Sequence, residues 1–267
     1  MAILSISREY GGGAEEIGQA VAQRMNYDYV DKERILEDIK TAGERWQRLS
    51  EELDEVSPSI WDRYDWEYRG FISLIESYIL DYAVKDRVVI MGRGSNFLLE
   101  DIPHALRVRI MAPLEDRVNR VMLHEHIDRK TAEWLIQKID KERDRYTYAN
   151  YGKSWSDASH YDMTFNTAIE PSRGVVDAIV DALAERESLA TPEAREGLAQ
   201  KVLVARVKAR IATDSRFLIP TLEVSHDGAA IVLQGIIHSA GELHLVEEIA
   251  RTIAAPTPVR NELHSRT

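Results

Sequence analysis

Cysteine is absent from the 267 residues of this chain, which excludes disulfide bonds and thiolate chemistry. No apolar run reaches the roughly 20 residues that a membrane-spanning helix needs. The first seven residues, Met-Ala-Ile-Leu-Ser-Ile-Ser, lack the basic start and the long apolar stretch of a secretory signal. We therefore expect a cytoplasmic protein that does not associate with membranes.

The chain also has no excess of basic residues. The chain has 34 Lys and Arg against 45 Asp and Glu, for a net charge of −11. Residues 196–267 contain eight of each kind, so the whole net charge lies within residues 1–195. Nucleic-acid binding depends on phosphate neutralisation by Lys and Arg, and this balance argues against it. A small anionic ligand stays compatible with the composition, because its site needs only a local basic cluster.

Short apolar runs alternate with helical patterns through the first 187 residues. Residues 14–25 have the apolar spacing of one helical face, and a long amphipathic pattern covers residues 60–84. Asp31 and Asp128 precede two further helical segments as potential N-caps. Strands are predicted at residues 2–7, 27–30, 87–91, 105–111 and 162–165. This alternation indicates an α/β domain with a parallel sheet covered by helices.

Apolar periodicity is lost at residues 188–197, which also contain Pro192 and Gly197. We predict a linker there, between a first domain of residues 1–187 and a second domain of residues 198–267. The second part shows helical patterns at 198–213 and 239–254, and extended segments near 220–225, 229–234 and 257–263. These patterns predict a second, small α+β domain, close to the lower size limit for an independent core.

Three consecutive glycines, Gly11, Gly12 and Gly13, connect the first predicted strand to the first predicted helix. A turn of this kind lets backbone N–H groups approach an anion, and the helix N-terminus adds partial positive charge. Glycines also serve ordinary tight turns, so this stretch alone leaves both interpretations open.

A wider set of segments resembles the cytidylate kinase-like family, which has a P-loop-type nucleoside monophosphate kinase fold. The segments follow the family's order and cover roughly residues 1–185. They comprise residues 5–13, 16–18, 29–33, 90–94, 107–117, 140–146 and 161–167. The resemblance implies phosphoryl transfer from ATP, with Mg²⁺, to a (d)CMP-type nucleotide.

The resemblance also implies roles for particular residues. It places Gly11, Gly12 and Gly13 under the donor phosphates, with Arg8 beside them, and it directs Asp31 and Arg93 towards the acceptor nucleotide. The lid-side cations that neutralise the transferring group would be Arg117, Arg143 and Arg145. Two alternatives stay open: Asp31 is sufficiently explained as a helix cap, and Arg143 and Arg145 occupy a charge run typical of a solvated helix face.

The sequence departs from the phosphate-loop pattern G-x-x-x-x-G-K-[ST], because Ala14, Glu15 and Glu16 follow the glycines. The cytidylate kinase-like family tends to carry an arginine where Glu15 stands. A carboxylate about 4 Å from a phosphate would cost roughly 4 kcal/mol at a dielectric of 20. If its side chain points to solvent, Glu15 instead stabilises the predicted helix, because an acidic residue is favourable in the first helical turn. We therefore keep a second hypothesis: a nucleotide-kinase fold without catalysis that senses ligands or binds proteins.

The C-terminal part resembles a BON domain over residues 198–263, through segments 202–211, 222–224, 231–235, 242–253 and 259–263. The resemblance implies binding without catalysis. Because this part is neutral and lacks a basic amphipathic face, we expect a protein partner, including a second copy of the chain. We predict no metal site among the histidines, since His124 and His126 would point in different directions on a helix.

Overall fold

The computed structural model describes residues 1–52, 65–169 and 172–265. The first part of the helix predicted at 60–84 lies outside these residues, and the described helix is α4, Trp66–Ala83. In the described part of the chain, none of the helices combines the length and the apolar character needed to cross a bilayer.

The first sheet has five strands that run parallel, as predicted. Their spatial order is β2-β3-β1-β4-β5, so β1 lies at the centre, paired with β3 on one side and β4 on the other. The strands are β1 (Ile3–Arg8), β2 (Asp28–Val30), β3 (Val88–Met91), β4 (Ala105–Met111) and β5 (Met163–Asn166). This arrangement brings the carboxyl ends of β1 and β3 side by side at one edge, where α/β folds bind their ligands.

Helices cover both faces of this sheet, because successive strand residues point in opposite directions. Leu4 and Ile6 of β1 pack with one set of helices, whereas Ile3 packs with the other. The described helices of this unit are α1 (Ala14–Met25), α2 (Lys32–Thr41), α3 (Glu44–Glu52), α4, α5 (Ser95–Leu98), α6 (Leu114–Glu125), α7 (Arg129–Tyr151) and α8 (Ser172–Glu187). The predicted α/β class is confirmed.

The C-terminal part forms a second, smaller sheet. Strand β7 pairs antiparallel with β6 and parallel with β8, and the connection between β7 and β8 contains a helix. The elements are α9 (Pro192–Ala212), β6 (Glu223–His226), β7 (Ile231–Ile237), α10 (Ala240–Ala254) and β8 (Val259–Ser265). This agrees with the predicted small α+β unit.

Helix α9 belongs to the cores of both units. Leu198 and Val202, from its first half, are buried in the cluster that contains α4, whereas Val207 and Ile211 are buried in the core of the second sheet. The helix begins at Pro192 with Thr191 as its N-cap. Residues 192–197 of the predicted linker are therefore helical, and the domain boundary itself stays a prediction.

Candidate functional site

A cavity of about 430 Å³ opens at the carboxyl ends of β1 and β3. Helix α7 forms its opposite wall, through side chains that include Leu135, Ile139 and Thr147. Five basic and three acidic side chains line it: Arg8, Lys32, Arg93, Lys138 and Arg143, and Glu15, Glu33 and Glu142. The cavity is therefore locally positive, although it lies in the acidic part of the chain.

The glycine turn lies in the chain between Tyr10 and Glu15, which both line this cavity. Gly11 and Gly13 have φ angles of 75° and 77°, which favour glycine, and Gly13 is the N-cap of α1. The N–H of Gly12 donates to the carbonyl oxygen of Glu9 at 3.0 Å. Because the N–H groups of the first helical turn have no acceptor within the helix, this end of α1 suits an anion.

Arg8 and Arg143 lie together at the positive end of the cavity. Nη1 of Arg143 donates to the carbonyl oxygen of Arg8 at 2.6 Å, and its guanidinium lies 5.8 Å from the ring centre of Tyr10. Burial, followed by the charge of Arg8, lowers the pKa of Arg143 to about 9. A bound anion would offset the repulsion between the two cations and would raise the pKa of Arg143 again.

The turn after β3 places Arg93 in the cavity lining close to Arg8, because a Cβ on the neighbouring Gly92 would lie 2.7 Å from Nη1 of Arg8. Arg93 has a φ of 56° between Gly92 at 76° and Gly94 at 75°. An arginine in this region is uncommon, and such strained residues cluster at functional sites. A Cβ on Gly94 would lie 2.3 Å from the ring of Tyr151, so only glycine fits there. The backbone thus holds Arg93 next to the cavity at the cost of local strain.

Glu15 lies at the rim of the cavity. Its Oε1 is 3.5 Å from Nη2 of Arg8, and 66% of its side chain is exposed. Of the two orientations considered for Glu15, the structure shows one that is largely solvated and still in contact with the Arg8 cation. This carboxylate would compete with an anionic ligand for Arg8, and solvent screens the contact strongly.

Arg117 lies beneath the glycine turn and does not line the cavity. Its Nη1 donates to Asp140 and to the carbonyl oxygen of Tyr10, and its Nε lies 3.5 Å from Glu9. Asp140 also accepts the N–H of Tyr10 at 3.0 Å. In this conformation Arg117 stabilises the turn, and its expected contact with a transferring group stays a prediction.

The two remaining predicted residues are not brought to the cavity wall. Asp31 caps α2, with Oδ1 accepting the N–H of Arg34 at 3.0 Å. Arg145 is exposed on α7, outside the residues that line the cavity. Of the nine predicted residues, Arg8, Arg93 and Arg143 line the cavity, whereas none of the three glycines does.

Arg120 was missed by the sequence analysis. Its Nη1 donates to the carbonyl oxygen of Gly11 and to Oγ1 of Thr167, each at 3.2 Å. Thr167 in turn donates to the carbonyl oxygen of Gly12 at 3.1 Å. Arg120 therefore fixes the conformation of the glycine turn and adds a cation next to it. No motif marks it, since 109 residues separate it from Gly11.

The residues at the start of α1 fit a magnesium–nucleotide complex. A Cβ at Gly13 would lie 3.4 Å from Nη1 of Arg120 and 3.5 Å from Oε2 of Glu16. A carboxylate oxygen and a guanidinium therefore flank the glycine next to the free N–H groups. Mg²⁺ in nucleotide sites prefers one or two carboxylates together with phosphate oxygens and water. Glu16 and Glu15 are the residues that would hold it.

The parallel sheet, the glycine turn before α1 and the basic cavity at the carboxyl edge define a P-loop-type kinase fold. The sequence profile of the cytidylate kinase-like family matches residues 3–169. The chain belongs to this family.

The proteins that the chain resembles include a cytidylate kinase. The chain is 24% identical over 184 residues to a cytidylate kinase from Methanocaldococcus jannaschii, covering 68% of this chain and 97% of the relative. A solved structure of an uncharacterized protein from Eubacterium ventriosum has a TM-score of 0.55 at 22% identity, covering 69% of this chain and 99% of that one. A uronate isomerase from Corynebacterium glutamicum is 30% identical over 111 residues, which span 42% of this chain and only 21% of the relative.

Proposed function

We propose that this protein transfers the terminal phosphate of ATP to a CMP-type nucleoside monophosphate. In this reaction the bond between the terminal phosphorus and its bridging oxygen breaks, a bond forms to an oxygen of the acceptor phosphate, and ADP leaves. A phosphate monoester is mostly dianionic at neutral pH, so its attacking oxygen needs no general base. The protein has to position two phosphates and neutralise their charge.

The convergence of Arg8, Arg93 and Arg143 on one cavity carries this proposal. Arg8 and Arg143 lie next to the glycine turn and suit the donor phosphates. Arg93 follows β3 and suits the acceptor, as the family resemblance implies. When bound, Mg²⁺ would supply positive charge that neutralises the phosphates of ATP, and Glu15 and Glu16 in the first turn of α1 are the residues that would hold it.

A second candidate function is nucleotide sensing without turnover. The contact between Glu15 and Arg8 favours it, because a carboxylate stands where a kinase gains from a cation. Binding of ATP in this case would change the conformation or the partners of the protein, and no ADP would form.

A coupled assay of ADP formation separates these functions. We expect turnover with Mg²⁺-ATP and CMP or dCMP, and an Arg143→Ala variant should lose about a hundredfold in rate, as when one charge-stabilising donor is removed. Lys141→Ala, an exposed cation on the same helix, is the control for net charge. Calorimetry that detects ATP binding without ADP formation would favour sensing, and absence of ATP and CMP binding at millimolar concentrations would exclude the enzyme.

For the second unit we propose binding to a protein, including a second copy of the chain. Its order of elements, helix, two strands, helix and strand, agrees with a BON-like module, and it exposes the apolar side chains of Leu218, Ile236 and Leu245. The molar mass of the full chain by light scattering over a hundredfold concentration range tests self-association. A constant monomeric mass would exclude the second copy as partner.

A further inference from the structure

The turn that carries Arg93 is held in an uncommon backbone conformation. Three consecutive residues, Gly92, Arg93 and Gly94, have left-handed φ angles of 76°, 56° and 75°. A left-handed arginine is strained, and such a conformation persists only where the surrounding structure fixes it. Because the side chain of Arg93 lines the cavity, whatever fixes this turn also fixes the direction of one of the cations there.

Tyr151, the last residue of α7, packs directly against this turn. A Cβ on Gly94 would lie 2.3 Å from Cε2, 2.7 Å from Cζ and 2.8 Å from the hydroxyl oxygen of Tyr151. The hydroxyl of Tyr151 also lies 3.5 Å from the carbonyl oxygen of Arg93, as a hydrogen-bond donor. Arg93 and Gly94 line the cavity and Tyr151 does not, so the turn would transmit its effect to a ligand.

Helix α4 holds this end of α7 in place. Nδ2 of Asn150 donates to the hydroxyl oxygen of Tyr68 on α4 at 2.9 Å. Glu76, also on α4, has a side chain that is only 17% exposed, and its Oε2 lies 3.9 Å from Nζ of Lys208 on α9. Burial raises the pKa of Glu76, and the charge of Lys208 and a hydrogen bond from Tyr151 oppose this rise. Two side chains of α4 therefore keep the end of α7 beside the turn.

We propose that Tyr151, held by Glu76, is a positioning residue that orients Arg93 towards the phosphate of the acceptor nucleotide. The inference rests on the proposed function and adds a residue that acts without touching the ligand. Loss of the Tyr151 ring would leave a gap next to Gly94, and the turn would relax from its strained conformation. Arg93 would then sample several directions, and a ligand would bind more weakly because it has to order this side chain.

Calorimetry of the full chain with CMP tests this role. Tyr151→Leu should weaken CMP binding about tenfold, because a misplaced cation loses part of its contact with the phosphate. Tyr148→Leu is the matched control, since it makes the same change at a tyrosine of α7 that is 62% exposed, and it should keep the wild-type affinity. Wild-type affinity for CMP in Tyr151→Leu would overturn the inference.

A double-mutant cycle with Arg93→Ala distinguishes positioning from a structural role. If Tyr151 acts only through Arg93, Tyr151→Leu should weaken CMP binding no further once Arg93 has been replaced by alanine. A residue that merely supports the fold would lower the affinity by the same factor in both backgrounds, and this additive result would also overturn the inference. Tyr151→Phe and Arg93→Lys replace the two variants where folding or measurable binding is lost.

The wild type separates a failure of this inference from a failure of the proposed function. Binding of CMP and formation of ADP by the wild type, together with additive losses in the cycle, would leave the proposed function standing and remove only the role of Tyr151. If the wild type binds no CMP, the proposed acceptor is wrong and the inference fails with it.

Discussion

Replacement of Glu15 by glutamine should tighten the binding of metal-free ATP. Oε1 of Glu15 lies 3.5 Å from Arg8, and the side chain is 66% exposed, so the contact stabilises the free protein by only about 1 kcal/mol at a water-like dielectric. A phosphate on the far side of Arg8 would lie roughly 7 Å from this carboxylate, and each negative charge would be repelled by about 0.6 kcal/mol. Together these terms give about 1–2 kcal/mol, a five- to thirtyfold gain in affinity.

The measurement is calorimetric titration of ATP in EDTA at low and at physiological salt. The gain should shrink at the higher salt, because the Debye length falls to about 8 Å at 0.15 M. Glu185→Gln, an exposed carboxylate on α8, is the matched control for the change in net charge. An unchanged or weaker affinity of Glu15→Gln at low salt would refute the idea that Glu15 competes with phosphate for Arg8.

Three further outcomes are expected. Asp31→Asn should keep the melting temperature, because asparagine caps helices as well as aspartate does. A loss of CMP affinity in this variant would establish a role of Asp31 in binding. Asp31→Ala would remove the cap as well and could not separate the two roles. A fragment of residues 1–187 should unfold at a lower temperature than a fragment of residues 1–212, and equal stability of the two would contradict the shared core. In the full chain, Leu198→Ala should lower the free energy of unfolding by about 2–4 kcal/mol. Hydrogen bonds from Arg216 lower the pKa of Asp214 to about 2 from an ordinary value of 3.8. The stabilisation is therefore complete above about pH 4 and lost between about pH 4 and 2, so Asp214→Asn should flatten this acid limb of an unfolding curve.

The sequence predicted the fold well because its signals are local. Helix α1 has the predicted bounds, Asp128 caps α7 by accepting the N–H groups of Lys130 and Thr131, and β4 has the predicted bounds. Apolar spacing and caps depend on neighbours within a few residues. At residues 192–197 the same signals failed, since a polar helix start with proline resembles a linker until Leu198 and Val202 find their partners on α4.

The site was less predictable, because its contacts join distant parts of the chain. Arg117 and Arg143 looked equivalent in sequence, yet Glu9 and Asp140 engage the first, whereas the second lies against Arg8 in the cavity. No spacing rule distinguishes them. The contact between Tyr151 and Gly94 is likewise a property of packing, which no single segment reveals.

Helix α9 contributes buried side chains to two hydrophobic cores. It continues without interruption from the core that contains α4 into the core of the second sheet, so a helix and not an irregular segment connects the two cores. A partner that binds the second sheet would therefore act through α9 on the core that contains α4. Inserting residues into α9 would rotate one half of the protein by about 100° per residue against the other.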